Sequence, residues 1–527
     1  MNDKKRSLRM RDLSDSLPAK GFGGMKISFN IAPLNFSKKT ITATDVNNIS
    51  KSSFKNAIFT ESILNDITFK NVDFTGANFF KATLNGVTFE NCNLTKAIFS
   101  LAKLNKNTSF INCILSNSFF VDSDSELYNV TFKSCTFTGV NFSGAKIFKN
   151  AIFTESILND ATFKNVDFTG ANFFKATFKN VDFIGANFFK ATLNGVTFES
   201  CTLTGVNFSE ANLYTKIIEP SGDNEDSQYI YTKFVNIDQF NNALFKKAKL
   251  YGVSFENCNL TKADFSEADL KFILDEEQDG EEGEGYLFTF FVDVNLEEAN
   301  FTSAFLNSVS FVAVNLKKTN FTKAYLLKLN NLLDVYLEDT LFVSATIKEL
   351  DFSYANYYPE NPENINKDGI FLGLDFSNAD LEDVKFRSKR YVEVNFSKAQ
   401  LTNVNLSFSD LTGSNFSKAT LTNVKLSNTN FTDADLSEAQ FIYAIQDYVN
   451  SNIKFNGANL NNAYFKNCLF ERFSFDDATD FGDTITSFFN CVIYIDNSNP
   501  IDEAGNYPYG YFIDNVYVDN CEIYIIS

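Results

Sequence analysis

A repeat of five residues is the feature that most constrains the fold of this 527-residue chain. Large apolar residues, mostly Phe and Leu, stand five apart over long stretches, for example at Phe74, Phe79 and Leu84. A small residue lies two positions before each of these centres, Asn or Asp often lies between, and Ser or Thr often follows. A helix needs apolar residues at spacings of three and four, and a half-buried strand needs strict alternation. Neither pattern is met, so the sequence predicts a repeat architecture.

The two apolar positions of each unit imply a short extended segment. Side chains two residues apart in an extended chain share one face, so both point inward. The remaining residues turn the chain before the next segment begins. A chain that turns at every fifth residue closes into a coil, and successive coils stack with strand-like spacing and ladder hydrogen bonds. The large residue then stacks on its counterparts in the coils above and below.

The unit resembles the pentapeptide repeat, A(D/N)LXX. Matching triplets are ANF (171–173), ADF (263–265), ADL (268–270), ADL (379–381) and ANL (458–460). The resemblance implies an all-β fold, a right-handed quadrilateral parallel β-helix with four pentads per coil, interrupted by loops and closed by non-repeat caps. About 70 pentads between Phe54 and Phe475 would give about 17–18 coils.

Phe takes the centre of the unit more often than the repeat consensus does, most of all in the first half. The chain has 61 Phe and no Trp, which favours a core of stacked rings. The predicted structural core includes Phe69, Phe74, Phe79, Phe89, Phe163, Phe168, Phe173, Phe178, Phe183 and Phe188.

Breaks in the five-residue phase divide the chain, and insertions are expected at coil corners because an in-phase wall tolerates them only there. Longer interruptions are also predicted near 121–131 and 387–390. The predicted segments are a basic N-terminal arm and possible cap (1–50), a neutral Phe-rich solenoid (51–213), an interruption (214–239), an acidic solenoid (240–484) with loops at 271–290, 358–373 and 443–452, and a Tyr-rich β cap (485–527).

Charge is distributed unevenly along the chain, whose net charge is −19. Residues 1–40 carry nine basic and three acidic groups, residues 55–213 carry thirteen of each, and residues 214–527 carry 23 basic and 48 acidic groups, a net −25. Such asymmetry indicates surfaces with different roles, although solubility alone would also explain an acidic surface. The arm and an acidic loop supply the candidate interaction residues: Lys4, Lys5, Arg6, Arg9, Arg11, Asp275, Glu276, Glu277, Asp279, Glu281, Glu282 and Glu284.

Residues that carry chemistry are few. His is absent, which removes the commonest general base and metal ligand. All eight Cys occupy the small inward position of a unit, where free Cys serves as a buried hydrophobe. Cys92, Cys113 and Cys135 are about one coil apart, which leaves a redox or metal role as an alternative. The Asp residues that precede centres would form outward columns, but repetition alone would place them there: Asp73, Asp167, Asp264, Asp269 and Asp435.

The sequence therefore predicts no catalytic, metal or cofactor-binding residue and no enzymatic activity. It favours a non-enzymatic scaffold that binds a protein partner, of unknown identity, through its faces, loops or ends. The resemblance implies two alternatives. One is DNA mimicry, in which some family members occupy the DNA-binding saddle of a type II topoisomerase such as gyrase; the other is delivery to another cell as a bacterial effector. The acidic residues 214–527 suit DNA mimicry, while the neutral residues 55–213 and the chain length do not.

The resemblance also implies a homodimer through a terminal end as an alternative to a simple cap. No run of eighteen apolar residues predicts a transmembrane helix, and the N-terminus lacks the apolar stretch of a secretory signal. A cytoplasmic location is therefore expected, with secretion by a signal-less route as the alternative. Nucleic acid is not an expected partner.

Overall fold

The chain winds as a parallel β-solenoid of about 17 turns in the computed structural model. Helical structure within the described residues includes α1 (Ala43–Val46) and a 3-10 turn at Phe352–Tyr354. The structure describes residues 33–46, 54–105, 107–120, 130–140, 142, 148, 150–218, 228–271, 288–329, 331–355, 370–447, 451–470, 473–474, 479–480, 486–489, 491–496, 516–519 and 521–526.

The strands are short, most of them of two to four residues. The first half of the chain contains β1 (Thr40–Ile41), β2 (Ile63–Asn65), β3 (Thr68–Lys70), β4 (Thr83–Asn85), β5 (Thr88–Glu90), β6 (Lys103–Leu104), β7 (Ser109–Ile111), β8 (Thr131–Lys133), β9 (Ile157–Asn159), β10 (Thr177–Lys179), β11 (Thr197–Glu199), β12 (Lys216–Ile218), β13 (Gln228–Ile230), β14 (Lys233–Ile237) and β15 (Ser254–Asn259). The second half contains β16 (Asp269–Leu270), β17 (Phe290–Asn295), β18 (Phe305–Asn307), β19 (Ser310–Val312), β20 (Tyr325–Leu327), β21 (Asn331–Leu333), β22 (Thr346–Lys348), β23 (Ile370–Leu372), β24 (Asp380–Glu382), β25 (Arg390–Val392), β26 (Gln400–Thr402), β27 (Thr420–Thr422), β28 (Gln440–Ile442), β29 (Ile453–Lys454), β30 (Tyr464–Lys466), β31 (Leu469–Phe470), β32 (Phe473–Ser474), β33 (Thr486–Phe489), β34 (Val492–Asp496), β35 (Val516–Asp519) and β36 (Glu522–Ile526).

One uninterrupted turn of the solenoid spans twenty residues. Strand β10 pairs in parallel with β11, so that Thr177 lies beside Thr197 and Phe178 beside Phe198. The backbone N–H of Phe163 likewise donates to the carbonyl of Asp182 at 2.7 Å. Four pentads therefore make one turn with four sides, which confirms the predicted quadrilateral parallel β-helix.

The four sides are called faces A to D, and the same centres stack along each of them. Face C includes the eleven-stranded sheet from β16 to β35, and face D includes the eight-stranded sheet from β9 to β21. The described tail strands β33 to β36 pair in parallel with the last turns of these two faces, and their role as a cap stays a proposal. The centres that define the faces are Phe79 and Phe99 (A), Leu84 and Leu104 (B), Phe69 and Phe89 (C), and Phe74 and Leu94 (D).

Residues between the centres form the corners. The side-chain oxygen of Asp73 accepts a hydrogen bond from the N–H of Thr75 at 2.8 Å, and Asn172 does the same for Phe174 at 3.0 Å. Such local bonds are the means by which Asn and Asp stabilise turns. The second residue after a centre adopts a left-handed conformation, as Gly170 does with φ 68°. Gly and Asn reach this region at least cost, although Lys, Glu, Asp and Ser also occupy it in other turns of this chain.

The inside of the solenoid is filled by stacked side chains. On face A, phenyl rings from Phe59 to Phe183 form one column with centroids 4.6–5.4 Å apart. On face B, Phe265 lies between Phe245 and Phe301 at 4.7 and 4.6 Å. A single cluster of buried apolar residues runs the length of the solenoid, which makes the core continuous from turn to turn.

The Phe columns change faces along the axis. In the turns from Phe59 to Phe120, Phe occupies faces A and C while Leu occupies face B and most of face D. From Leu250 to Leu326, Phe occupies faces B and D while Leu occupies A and C. Between these regions, six successive centres from Phe163 to Phe188 are all Phe, within the doubled sequence FKNVDFTGANFFKAT–FKNVDFIGANFFKAT at 163–192.

Excursions from the repeat leave at corners. The chain passes from Leu213 on face C to Phe234 on face D, and two turns later from Leu270 on face C to Phe291 on face D. The first excursion contains an antiparallel hairpin of β12 and β13. The division of the chain into segments and loops remains a proposal.

The break predicted near 387–390 is wrong. Phe386 and Tyr391 stay five residues apart, and their N–H groups donate to the carbonyls of Asn405 at 2.9 Å and Asp410 at 2.7 Å in the next turn. The sequence RSKR departs from the repeat in composition but not in length, which is why the pattern alone misled.

Candidate functional site

The residues singled out from the sequence fall into two groups. All ten Phe residues predicted for the core are buried, with Phe69 at 4% exposed and the other nine at 0%. The candidate interaction residues of the arm, from Lys4 to Arg11, and of the acidic loop, from Asp275 to Glu284, lie outside the described residues. The candidate surface among the described residues is therefore the solenoid wall.

The inward position two residues before a centre forms hydrogen bonds as well as packing contacts. Cys92, Cys113 and Cys135 occupy it in successive turns, and each thiol donates to a core carbonyl in the turn before, at 3.3–3.4 Å. Thr108 and Thr319 place their hydroxyls in the same way, at 3.0 and 2.9 Å from the carbonyl oxygens of Leu84 and Leu296. Sequence analysis missed this bond, although the sharing of one position by Cys, Ser and Thr was a signal for it.

Burial and, at Cys113, contact with a neighbouring thiol raise the pKa of several of these core thiols. The hydrogen bond with Cys135, followed by burial, raises the pKa of Cys113 to about 12, and burial raises the pKa of Cys201 to about 12. A thiol with such a pKa is a poor nucleophile and a poor metal ligand at neutral pH. Among the described residues, no group of three or more Cys, Asp or Glu is arranged to hold a metal ion.

The outward Asp residues form hydrogen bonds to neighbouring residues of the wall. Asp167 Oδ1 accepts from the N–H of Thr169 at 3.0 Å and from Asn187 Nδ2 of the next turn at 3.1 Å. Asp264 and Asn300 repeat the second contact at 3.0 Å. These carboxylates fix corners and link turns, so their recurrence reflects the architecture.

The corner between faces C and D is the most irregular part of the described wall, because both excursions described above leave from it. Threonine hydroxyls form hydrogen bonds to an adjacent turn at this corner: Thr215 Oγ1 donates to the carbonyl of Gly252 at 2.6 Å, and Thr289 Oγ1 donates to that of Leu250 at 2.5 Å. Between the excursions, Ser254 is only 8% exposed. Both threonines stand at the described ends of the excursions, where these bonds join the chain to the wall.

Polar and aromatic side chains meet on the face C side of this corner. Tyr251 donates a 2.7 Å hydrogen bond to Asp269 Oδ2, and Lys271 Nζ lies 4.8 Å from the centre of the Tyr251 ring. The Tyr214 ring stacks on that of Tyr251 at 5.9 Å. Burial, followed by the hydrogen bond to Asp269, raises the pKa of Tyr251, so the phenol stays a neutral donor. Asp269 thus differs from the other outward Asp residues in its partner.

An apolar row runs along face D, which begins at this corner. Val235, Val292, Val312 and Leu333 share one register line along β14, β17, β19 and β21, with Glu256 of β15 between the first two. Phe290 is 38% exposed and Leu333 is 45% exposed. We call these four aliphatic residues and Phe290 the apolar row. Large apolar side chains exposed in a group are typical of contact surfaces.

Comparison with known proteins identifies the repeat. A family model described as pentapeptide repeats (9 copies) matches residues 127–172. A second, described as pentapeptide repeats (8 copies), matches residues 73–106, 182–215, 239–271, 291–326, 390–417 and 414–445. No curated protein sequence matches the chain. No helix in the described part of the chain combines the length and hydropathy needed to cross a membrane.

Solved structures of repeat proteins are similar to parts of the chain. A trypsin-treated variant of QnrB1, a plasmid-mediated fluoroquinolone resistance protein, is 22% identical over 34% of this chain and 82% of its own, with a TM-score of 0.24. HetL, a pentapeptide repeat protein involved in heterocyst differentiation regulation in the cyanobacterium Nostoc sp. strain PCC 7120, is 18% identical over 58% of this chain and 88% of its own, with a TM-score of 0.18. From the repeat-model matches and the four-sided parallel solenoid together, the chain belongs to the pentapeptide repeat family.

Proposed function

We propose that the protein is a non-enzymatic scaffold that binds a protein partner on its solenoid wall. The observation that carries the proposal is the continuous core, which holds outward side chains of successive turns in a fixed register. A repeat wall of this kind presents an extended surface whose geometry is set before a partner arrives. Preorganisation of this type lowers the entropic cost of binding.

We place the contact at the corner between faces C and D. The aromatic cluster around Tyr251 lies at this corner, two excursions leave from it, and the apolar row lies on the adjoining face D. Loops fixed on a rigid scaffold commonly supply specificity, while apolar groups supply affinity. The proposal therefore assigns affinity to the apolar row and selectivity to the excursions.

A pull-down with quantitative mass spectrometry tests this. The bait is the full chain, compared with a Phe290→Ser/Leu333→Ser double variant and with chains lacking 1–40 or 275–285. The matched control is Ile63→Ser/Phe119→Ser, which removes residues of similar exposure, 42% and 46%, elsewhere on the wall. We expect a partner that the wild type and the control retain and that the Phe290/Leu333 variant loses at least tenfold. Equal recovery by the double variant and the control would sink the assignment of the surface.

DNA mimicry of a type II topoisomerase substrate is the second candidate, and the net charge of −25 over residues 214–527 favours it. An acidic rod steers toward a site built for a polyanion. Titration of gyrase supercoiling with the purified protein measures it directly. We expect the protein to inhibit or protect gyrase at micromolar concentration, and we expect this effect to weaken with added salt. No effect on supercoiling in that concentration range would rule out this candidate.

A further inference from the structure

Two of the chain's six Arg residues stand close together in the middle of the acidic solenoid. The chain contains six Arg, and between Phe54 and Phe470 only Arg387 and Arg390 occur, every other cation there being Lys. Both stand in the run Lys385-Phe386-Arg387-Ser388-Lys389-Arg390, inside the acidic second half. Arg is the residue that binds planar or tetrahedral oxyanions with two parallel hydrogen bonds, so its selective use here calls for a physical reason.

Two cations of the run have carboxylate partners. Lys385 Nζ lies 3.2 Å from Asp351 Oδ2 in the turn before, and Arg390 Nε lies 3.3 Å from Asp410 Oδ2 in the turn after. Arg387, which is half-buried on face D, has no ion pair or hydrogen bond with any side chain among the described residues. A half-buried guanidinium without an anion has five N–H donors that the wall does not use.

Hydroxyl groups without partners flank this guanidinium. Asp351, Lys385 and Asn405 lie side by side in successive turns. Two residues further along, Ser353, Arg387 and Ser407 therefore form one outward line on face D. Adjacent parallel strands are about 4.8 Å apart, so Arg387 stands between the two serines.

The two serine hydroxyls are buried and form no hydrogen bond within the described structure. Ser407 is only 1% exposed. In the next turn of the same line, Ser427 Oγ donates to Asp447 Oδ1 at 2.9 Å. The same position thus has an oxygen acceptor one turn away, and at Ser407 it has none. Buried hydroxyls are normally satisfied, so two exceptions beside one unpaired Arg indicate a missing acceptor.

We propose that Ser353, Arg387 and Ser407 form an oxyanion-binding site that accepts a phosphate group. The ligand would meet the half-exposed guanidinium first and then replace the missing acceptor for one of the flanking hydroxyls. The site offers two hydroxyls and a guanidinium, whereas the neighbouring cations Lys385 and Arg390 are already paired with carboxylates. A local positive site in an acidic wall selects an anion that reaches it by specific hydrogen bonds, since the surrounding field repels anions in general.

The test is a titration of the full chain with inorganic phosphate at constant ionic strength, followed by phosphorus NMR line broadening. Arg387→Gln is the variant, and Arg390→Gln is the control, because Arg390 carries the same charge three residues away but already has Asp410. We expect saturable binding by the wild type and by Arg390→Gln, and an affinity on the order of tenfold or more weaker for Arg387→Gln. Ser407→Ala serves as a second variant, and far-ultraviolet circular dichroism checks that each variant is folded.

A second arm uses a phosphoserine peptide with its unphosphorylated form as control. Tighter binding of the phosphopeptide than of inorganic phosphate supports the site and identifies a modified protein as the source of the phosphate. Equal or weaker binding of the peptide supports the site with a small anion as its ligand. The proposal is overturned if neither probe binds saturably, or if folded Arg387→Gln binds as tightly as the wild type.

Discussion

The turns from Phe59 to Phe120 and the turns from Leu250 to Leu326 use the same alternation of Phe and Leu but place Phe on different faces. Phe79 and Phe89 stand on faces A and C, whereas Phe255 and Phe265 stand on faces D and B. An alternation of two residue types has a period of two sides, and the doubled fifteen residues add three sides. An odd number of added sides exchanges the Phe faces with the Leu faces.

This difference shows that no particular sequence is confined to one face. Residues 55–83 recur at 149–177 with a single change, from Ile67 to Ala161. Nevertheless Phe69 lies on face C and its copy Phe163 on face A, the opposite side of the turn. Each pentad contacts the pentads twenty residues away, and it folds in the same way on any side. The face is set by the count of pentads that precede it.

Deletion of 178–192 is expected to have the largest effect. Leu193 would then follow Thr177 on face D, every later pentad would move by one face, and Phe would return to faces A and C. In the wild type, Lys179 lies beside Glu199, with Nζ 2.7 Å from Oε1. In the deletion variant, Glu199 would lie beside Lys164. We expect a folded protein, because the alternation of Phe and Leu is restored across the junction.

Disulfide trapping measures this change, since neighbouring parallel strands bring Cα atoms within bonding range. The pair Lys164→Cys/Glu199→Cys should cross-link in the deletion variant and not in the full chain. Lys179→Cys/Glu199→Cys in the full chain is the positive control. A folded deletion variant in which the first pair fails to cross-link would show that face is not set by counting.

Core truncation should have the next largest effect. Phe265→Ala removes a ring held between two others at 4.7 and 4.6 Å, and should cost about 3–5 kcal/mol. Phe183→Leu should cost less than about 1.5 kcal/mol, because Phe183 stacks more loosely, at 5.4 Å from Phe163, and Leu fills this position elsewhere. Hydrogen exchange of the flanking strands is the measurement, since a repeat array does not unfold in one step. Equal protection losses in the two variants would contradict the expected difference in packing.

Corner substitution tests whether copies on different faces are equivalent. Gly170 has φ 68°, and a Cβ there would lie 2.5 Å from Asn150 Oδ1. Gly170→Ala should cost about 2–3 kcal/mol in local stability, against about 1–2 kcal/mol for Gly205→Ala, where φ is 65° and no atom lies within 4 Å. Combining Asn150→Ala with Gly170→Ala should remove the additional cost of Gly170→Ala over Gly205→Ala. Gly76→Ala, the earlier copy on face D, should match Gly170→Ala on face B, and a clear mismatch would mean that faces do matter.

The smallest expected effect is a gain in stability. Tyr391 is fully buried on face A with a hydroxyl that has no partner among the described residues, where Phe or Leu stands in other turns. Tyr391→Phe should stabilise this turn by about 1 kcal/mol. Burial raises the pKa of Tyr391 in the folded state, so the unfolded chain ionises first and wild-type stability falls as pH rises above about 10. Urea denaturation at about pH 7 and about pH 10.5 should show a larger advantage of the Tyr391→Phe variant at the higher pH, and no advantage at either would argue for an unseen partner.

The sequence was sufficient to predict the local structure of each pentad. Inward Phe173, the small Ala171 before it and the turn-forming Asn172 between them follow from local chemistry. The side on which each pentad lies could not be predicted, because it depends on every insertion before it. For the same reason Phe290 and Leu333 could not be recognised as residues of one face. The run around Arg387 was predicted to interrupt the repeat because its unusual composition was taken as a change in repeat length. The hydrogen bond of Cys92 could not be predicted because its acceptor carbonyl belongs to the turn before.

The three-sided doubling also has a consequence for how the gene can change. A recombination event that copies five codons adds one side and rotates everything downstream by a quarter turn, and copying fifteen codons rotates it by three quarters. Neither event alters a single existing residue or opens the core. The angle between two surface features can thus be inherited as a length difference, so that relatives with the same residues could display them in different directions.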